Sequence, residues 1–567
     1  MVAKSKPVKG SASVEISDFD ALMANRAIQL ASAGRIAEAE PLIRQFIGNN
    51  PRDPRGYYNL GKMLRTRGDQ TAALEAFRRC VKLAPGFSAA HLNLANTLRS
   101  LGRASEAFAA YRRTMDMDPD AFAAVAMVAH TRASLCDWDG LAEIEARAIM
   151  GSGREASVPP FTLLAMASTA AEQLVAGKNW GSQFLRQAEA PPLRWRPQDG
   201  RPIRVGYAST DFRMHPIAML IAEMIEQHDR SRFQIHGYCF GGDDGSPQRQ
   251  RLMASFDHFT ELRGVLDREA AQKIASDEID ILVDLTGYTH NARTAVFGWR
   301  PAPILVNFLG YPGTAGVLFD YIVVDPTICP PEHRSFYSEI PVYMPHCYQP
   351  NDTKREIVAA MPSRQQCNLP EEGFVFCCFN NSFKIRPHIF QIWMRLLKQV
   401  PGSVLWLIDG EAAGNLRREA KKCGIDPKRL VFAPRLPPDQ HLSRHRQADL
   451  FLDTLPYNAH TTASDSLWAG VPVLTVLGDT FASRVAASLV RGIGLPEMVV
   501  QTLEEYEQTA LALAQDAPRL ADLRRRLAEN RLSTPLFDAA GFTRNLEAAY
   551  VQMVSSPDSL RPNEIRV

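Results

Sequence analysis

The sequence predicts a helical superhelix followed by an α/β region of two doubly wound lobes. Three observations carry that reading: a fixed period in the first third, a switch near Ile203 to short β-branched runs separated by amphipathic stretches, and a second such series beyond a polar, turn-rich break. A chain of 567 residues, 46% of them hydrophobic, can bury several cores and is expected to divide into roughly three or four units.

The period is set by Gly34, Gly68 and Gly102 and again by Pro51, Pro85 and Pro119, each series stepping by 34 residues. Small residues recur at one phase (Ala39, Ala73, Ala107) and bulky ones four later (Ile43, Phe77, Tyr111), so each pair shares a helix face. Each unit is then two helices: Gly closes the first, Ala lets the second pack closely, and Pro stops it. This spacing resembles the tetratricopeptide repeat. Cys136 stands where the next Gly would fall, so the repeat signal fades after about residue 125 and divergent helices are expected to about 198. Such an array commonly holds extended peptide on its inner face, with homodimerisation the alternative use.

From Ile203 onward "IRVGYAS", "FQIHGYCF", "IDILVDLTGYT", "PILVNFLGY" and "YIVVD" read as strands of a parallel sheet covered by helices. After the break near 345–372 come "FVFCCFN", "SVLWLID", "RLVFAP", "DLFLD" and "VPVLTVL". The expected units are a tail (1–17), repeats (18–125), divergent repeats (126–198), a first lobe (199–360), a second lobe (361–553) and a closing tail (554–567). A ligand would bind between the lobes at the carboxyl ends of the strands.

Bulk properties exclude several classes. Lys plus Arg number 64 against 62 acidic residues, and a net charge of +2 gives no general field for nucleic acid or an anionic membrane. No apolar run reaches 18 residues and no apolar segment follows the basic N-terminus, so neither spanning nor secretion is expected. The nine cysteines lack zinc spacing and read as reduced thiols of a cytoplasmic protein.

The chemistry is sought where a strand meets a helix. In "DLFLDTLPYNAHTTASDSLWAGVPVLT", Thr462 and Asp465 have capping-box spacing, and His460 and Thr461 stand beside them on the loop. Capping alone needs neither a second Thr nor a His there. Free N–H groups, the positive end of the helix dipole and two hydroxyls make an anion seat, most plausibly for phosphate. No G-x-x-x-x-G-K-S/T loop offers another seat. "FVFCCFNNSFKIRP" supplies Lys384 and Arg386 as candidate counter-cations just past a strand of the same lobe. Carboxylate pairs of D-x-D type occur only in the helical third, so metal-independent chemistry is expected and no metal ligand is assigned. "GYPGTAG", residues 310–316, follows a strand and reads either as a tight turn or as a ligand contact. In "VGYASTDFRMHP", Asp211 and His215 lie on a loop, and Pro216 biases His215 toward an extended conformation that could aim its ring into the cleft.

Taken together, "DFRMHP", "LGYPGTAG", "FNNSFKIRP", "LDTLPYNAHTTASDSLWAGVPVLT" and "FASRVAASLV" behind these repeats closely resemble the O-linked N-acetylglucosamine transferases and the related SPINDLY proteins. The resemblance implies a GT-B fold of two Rossmann-like lobes and inverting, metal-free transfer from UDP-N-acetylglucosamine to Ser or Thr of proteins. Carried over by position, it puts His215 near the reacting centre and Lys384 on the diphosphate, with Asn381 beside it. Thr461 and Thr462 become phosphate-binding hydroxyls, His460 a sugar or phosphate contact, and Asp465 a ribose contact. Backbone at Leu309 and Gly310 would line the sugar, and main-chain atoms near Leu436 would hold the uracil, with His441 stacking and Arg444 alongside. Animal members of the family carry Gln in place of Asn381 and Lys in place of Pro438, so donor identity is less defined than donor class. The implied partners are a nucleotide sugar and a protein or peptide acceptor. Fucosyl transfer from GDP-fucose is the alternative within the enzyme class, and a repeat scaffold with an inactive nucleotide-binding half the alternative outside it. A Rossmann dehydrogenase is disfavoured because no strand is followed by G-x-G-x-x-G.

Overall fold

The computed structural model describes residues 17–32, 35–154, 157–186, 200–555 and 563–567. The 34-residue period folds as successive helix pairs: α1 (Asp18–Ser32) with α2 (Ile36–Asn49), α3 (Pro54–Thr66) with α4 (Gln70–Leu83), and α5 (Ser88–Ser100) with α6 (Ala104–Met117). Ala39, Ala73 and Ala107 are buried with Ile43, Phe77 and Tyr111 in one core that runs through the array. Gly68 and Gly102 end their helices in the left-handed region at φ +91° and +74°, where glycine meets no steric cost. Gly34 lies outside the described residues.

The repeat persists one unit beyond its visible signal. Helices α7 (Phe122–Ser134) and α8 (Leu141–Arg154) form a fourth pair, and Cys136 takes the glycine's place with φ +50°. Its turn makes the same hydrogen bonds: Cys136 N–H donates to Ala133 and Asp137 N–H to Arg132, as Gly102 does to Arg99 and Arg103 to Leu98. The strain of a side chain there, about 1–2 kcal/mol, coincides with a contact, since the buried thiol donates to the carbonyl of Ser382 at 3.5 Å. A 3-10 turn at Pro160–Ala165 and helix α9 (Ala170–Ser182), started by a Thr169–Glu172 capping box, complete the helical part.

The first lobe runs β1 (Ile203–Ser209), α10 (Pro216–Glu226), β2 (Phe233–Cys239), α11 (Pro247–Ser255), β3 (His258–Glu261), α12 (Asp267–Ser276), β4 (Ile281–Asp284), α13 (Thr294–Gly298), β5 (Ile304–Asn307), β6 (Tyr321–Val324) and β7 (Ile340–Tyr343). The second runs β8 (Val375–Cys378), α14 (Pro387–Gln399), β9 (Val404–Ile408), α15 (Ala413–Lys422), β10 (Leu430–Ala433), α16 (Pro438–His445), β11 (Leu450–Leu452), α17 (Thr461–Trp468), β12 (Val473–Val476), α18 (Val485–Gly492), β13 (Val499–Val500), α19 (Leu503–Gln515) and α20 (Ala517–Asn530). Helix α21 (Ala539–Ser555) and β14 (Ile565–Arg566) follow.

Both sheets are parallel, in the orders β14-β7-β6-β5-β4-β1-β2-β3 and β10-β9-β8-β11-β12-β13. The order reverses between β1 and β4 in the first sheet and between β8 and β11 in the second. Loops leaving these strands therefore diverge and open a crevice at each switch point.

The chain's end departs from expectation. α21 leaves the second lobe and packs on α10 of the first, where Glu547 accepts from the ring of buried His228 at 3.0 Å and Tyr550 meets Tyr207 at 3.0 Å. The expected tail 554–567 contains β14, which adds to β7 through buried Ile565. A two-residue edge strand is too short to announce itself by alternation. Residues 1–16 and 556–562 of the expected tails, and 187–199 at the expected junction with the first lobe, lie outside the described residues.

Candidate functional site

The loops at the two switch points share one cavity of about 1140 Å³ with the inner wall of the helical array. His215, Leu309 and Gly310 line it from the first lobe; Asn381, Lys384, Leu436, His441, Arg444, His460, Thr461 and Thr462 line it from the second. Of the expected site residues, Asp465 and Arg386 are not among its lining residues.

Lys384 closes a 3-10 turn, Ser382–Lys384, just beyond β8. It is buried, and its Nζ donates to the carbonyl of Asn458 at 2.8 Å and sits 3.8 Å from the centre of the Tyr457 ring. The ammonium is thus fixed beside the loop that carries His460. Burial drives it well below the usual lysine range, to about 7, against the pull of the Asp453 carboxylate.

That loop is pinned from beneath by two residues that the sequence reading did not single out for a role. Asp453, immediately after β11, accepts from Ala459 N–H (2.6 Å), Thr454 N–H (2.7 Å) and Thr475 Oγ1 (2.6 Å). Its burial raises the carboxyl pKa despite these donors. Asn380 donates to Thr454 Oγ1 at 2.8 Å and to Asp453 at 3.3 Å, while its carbonyl oxygen accepts from the Thr462 hydroxyl.

The capping-box reading is overturned. His460 is the N-cap residue and Thr461 begins α17, so Thr462 lies one position inside the helix and points to Asn380 instead of back to the backbone. Asp465 pairs with Arg355 of the interlobe segment at 2.6 Å, and Trp468 Nε1 donates to the Arg355 carbonyl. These contacts fasten α17 to residues 345–372. The anion seat keeps its backbone: no intramolecular acceptor meets the N–H groups of His460, Thr461 or Thr462 among the described residues. Thr461's hydroxyl is also unengaged there, whereas that of Thr462 is committed to Asn380.

His460 donates through Nε2 to the Ala482 carbonyl at 3.2 Å, a bond that fixes its tautomer. Burial, with Lys384 nearby, holds its pKa far below the usual histidine range. A neutral ring with Nε2–H engaged leaves Nδ1 only as an acceptor, suited to a hydroxyl and unsuited to a phosphate oxygen.

Arg386, the other expected cation, points elsewhere. It is buried against Glu145 of α8 at 2.5 Å and does not line the cavity. It belongs to the seam between array and second lobe, together with Ser382 Oγ donating to the Ser134 carbonyl at 2.5 Å and Asn415 donating to that of Leu135 at 2.8 Å.

Further along the cavity, His441 Nδ1 accepts from Arg444 at 2.6 Å, and its ring lies 5.2 Å from that of Phe379. Burial, with His445 and Arg444 close by, lowers its pKa to about 2, so it is a neutral ring available for stacking. Pro438 begins α16. On the facing wall Leu309 takes the left-handed region at φ +70°, uncommon for a side-chain residue. Gly310 follows where a Cβ would lie 2.1 Å from the Leu285 carbonyl. Only glycine fits this close approach to the main chain after β4.

His215 holds the extended conformation expected of a residue before proline, φ −145° and ψ 149°, and caps α10 by accepting Ile217 N–H at Nδ1, 3.3 Å. Nε2 faces Asp211 at 3.8 Å. Burial lowers its pKa, Asp211 raises it and Arg213 lowers it. Its unbonded nitrogen can take a proton or orient a hydroxyl.

Among the described residues no three His, Cys, Asp or Glu side chains group to hold a metal ion, and no helix is long and apolar enough to cross a membrane. The D-x-D carboxylates lie in or beside array helices and none lines the cavity.

Two parallel doubly wound lobes, with both switch points opening on one cavity behind a helical array, define the glycosyltransferase architecture known as GT-B. The model of Glycosyl transferase family 41 matches residues 191–358 and 349–546, and the tetratricopeptide repeat matches 25–86 and 72–122. The chain belongs to glycosyl transferase family 41. It is 39% identical over 360 residues, 62% of this chain and 37% of the relative, to a probable UDP-N-acetylglucosamine–peptide N-acetylglucosaminyltransferase SEC of Arabidopsis thaliana. It is 31% identical over 397 residues, 67% of this chain and 42% of the relative, to a SPINDLY protein of Solanum lycopersicum carrying the same probable activity in its name. A solved O-GlcNAc transferase variant of Thermobaculum terrenum superposes with TM-score 0.69 at 27% identity, covering 95% of this chain and 99% of that one. The chain thus spans well under half the length of these two curated relatives.

Proposed function

We propose that the protein transfers N-acetylglucosamine from UDP-N-acetylglucosamine to Ser or Thr hydroxyls of proteins, with inversion and without a divalent metal. The observation that carries this reading is the buried Lys384 ammonium bonded to Asn458 O, beside the free N–H groups of His460 to Thr462. A cation and a helix start held together there replace the metal that other sugar transferases place on a diphosphate. The names of the relatives support the same donor and acceptor classes.

His215 lines the same cavity from the first lobe. There it orients or deprotonates the acceptor hydroxyl as its oxygen attacks the anomeric carbon. The bond from that carbon to the diphosphate oxygen breaks on the opposite face, and Lys384, Thr461 and the α17 amides stabilise the charge that develops. His460 Nδ1 accepts from a sugar hydroxyl. Asn381, Leu309 and Gly310 border the sugar, Leu436 and Arg444 the base, and the neutral His441 ring stacks on it. Thr462 serves chiefly through its backbone.

The test is transfer to a Ser/Thr peptide library followed by mass spectrometry, with UDP-N-acetylglucosamine and GDP-fucose as separate donors and chelator in parallel. N-acetylhexosamine on Ser or Thr, undiminished by chelator, is expected. Deoxyhexose from GDP-fucose alone would transfer the reading to the fucosyl class, and donor binding without transfer or hydrolysis would leave a scaffold.

A further inference from the structure

The cavity exceeds the roughly 300–1,000 Å³ of a typical single-ligand pocket, and its remaining wall is cationic. Arg65 in the last turn of α3 and Arg99 in the last turn of α5 hold the same position in successive repeats, and both line the cavity. Basic residues in a last helical turn often serve only the helix dipole, but these two differ from their neighbour. Arg132, in the last turn of α7, finds Asp137 at 2.9 Å, whereas no carboxylate pairs with Arg65 or Arg99 among the described residues. The partners of the Arg99 guanidinium are uncharged: Nη1 meets His290 Nδ1 at 2.6 Å and the group also bonds to the Tyr111 hydroxyl, while its Nε is buried with no hydrogen-bond partner. Arg213 adds a third guanidinium from the first lobe, 3.6 Å from Asp211, and among the described residues Asp211 is the one carboxylate that lines the cavity. Arg65 and Arg99 are half-buried, and a guanidinium partly withdrawn from water gains from a counter-anion. The donor's diphosphate does not supply that anion, because its seat is on the second lobe.

We infer that Arg65 and Arg99 are specificity-determining residues that receive Asp or Glu side chains flanking the accepting hydroxyl, so that the preferred acceptor is an acidic segment. This rests on the acceptor being a peptide, as proposed above. Repeating the cation at one repeat's spacing suits an extended chain carrying several carboxylates, and rigid guanidinium forks suit carboxylates better than ammonium would.

The test measures binding of labelled peptides to the full chain by fluorescence anisotropy, without donor, so that it stands apart from catalysis. The peptides share one central Thr and differ only in whether the flanking positions are Asp/Glu, Asn/Gln or Lys. The acidic peptide should bind at least about tenfold tighter than the neutral one, about 1.4 kcal/mol, with the gap closing as salt rises. Arg65→Gln/Arg99→Gln should abolish the discrimination, and Arg65→Glu/Arg99→Glu should reverse it toward Lys peptides; UDP binding to each variant reports that it is folded. Equal binding of acidic and neutral peptides by the wild type, or discrimination that survives in the folded double variant, overturns the inference. Preference for phosphoserine over Asp and Glu at the same positions would overturn the carboxylate assignment. Failure of UDP to bind the wild type would count against the proposed transferase function alone.

Discussion

Lys384→Met separates the site's chemistry from its architecture. Among the described residues the ammonium makes one hydrogen bond, to Asn458 O at 2.8 Å, and it lies over Tyr457, leaving N–H groups for an anion in the cavity. Removing one such donor from a developing oxyanion commonly costs about 2.7–4 kcal/mol, or about 10²–10³ in kcat. The fold should not suffer. Burial holds the lysine below its unfolded pKa, so at neutral pH the folded state binds this proton less tightly than the unfolded state, and the charge opposes folding there. Methionine fills similar space, and Asp453 keeps its donors from Ala459, Thr454 and Thr475. Transfer measured with radiolabelled donor, beside thermal melting, should show turnover reduced by those two to three orders with Tm unchanged or raised. Near-normal turnover would remove Lys384 from the mechanism, and a collapsed Tm would refute the electrostatic account of its burial.

Three further outcomes follow from the same geometry. His215→Ala is expected to lower kcat about 10²–10⁴-fold, and because burial depresses this histidine the acidic limb of kcat/KM should fall below the ordinary histidine range; retention of most turnover would exclude a base role. Asn380→Ala should cost about 1–3 kcal/mol in urea unfolding by leaving buried partners unsatisfied and raise KM for the donor by freeing the His460 loop. UDP binding should raise the depressed Lys384 pKa, so calorimetry in buffers of different ionisation enthalpy should detect proton uptake above about pH 7 and weaker affinity as pH rises; Lys384→Met should show neither.

Much of this was legible in the chain. Every strand read from a β-branched run is present, and β1 coincides with "IRVGYAS". Strands β3, β7 and β13 were not read: β3 is half exposed and polar, β7 carries a proline, and β13 has two residues. Lys384 and the His460 loop were legible because each follows a buried strand directly in sequence. What escaped depends on partners far along the chain. The ion-pair partners of Asp465 and Arg386, Arg355 and Glu145, went unread because they lie far off in sequence. Asn380 and Asp453 look like ordinary polar residues after strands until β8 and β11 pair and bring them together.

Cys136 marks where the helical array stops being an appendage. Its thiol reaches Ser382, the first residue of the turn that ends in Lys384, and Ser382 in turn bonds to Ser134. The platform beneath Lys384 is therefore partly made of repeat. Excising the array would not leave a smaller, less selective catalyst; it would strip the floor from under the lysine, so loss of acceptor binding and loss of donor grip should arrive in one cut.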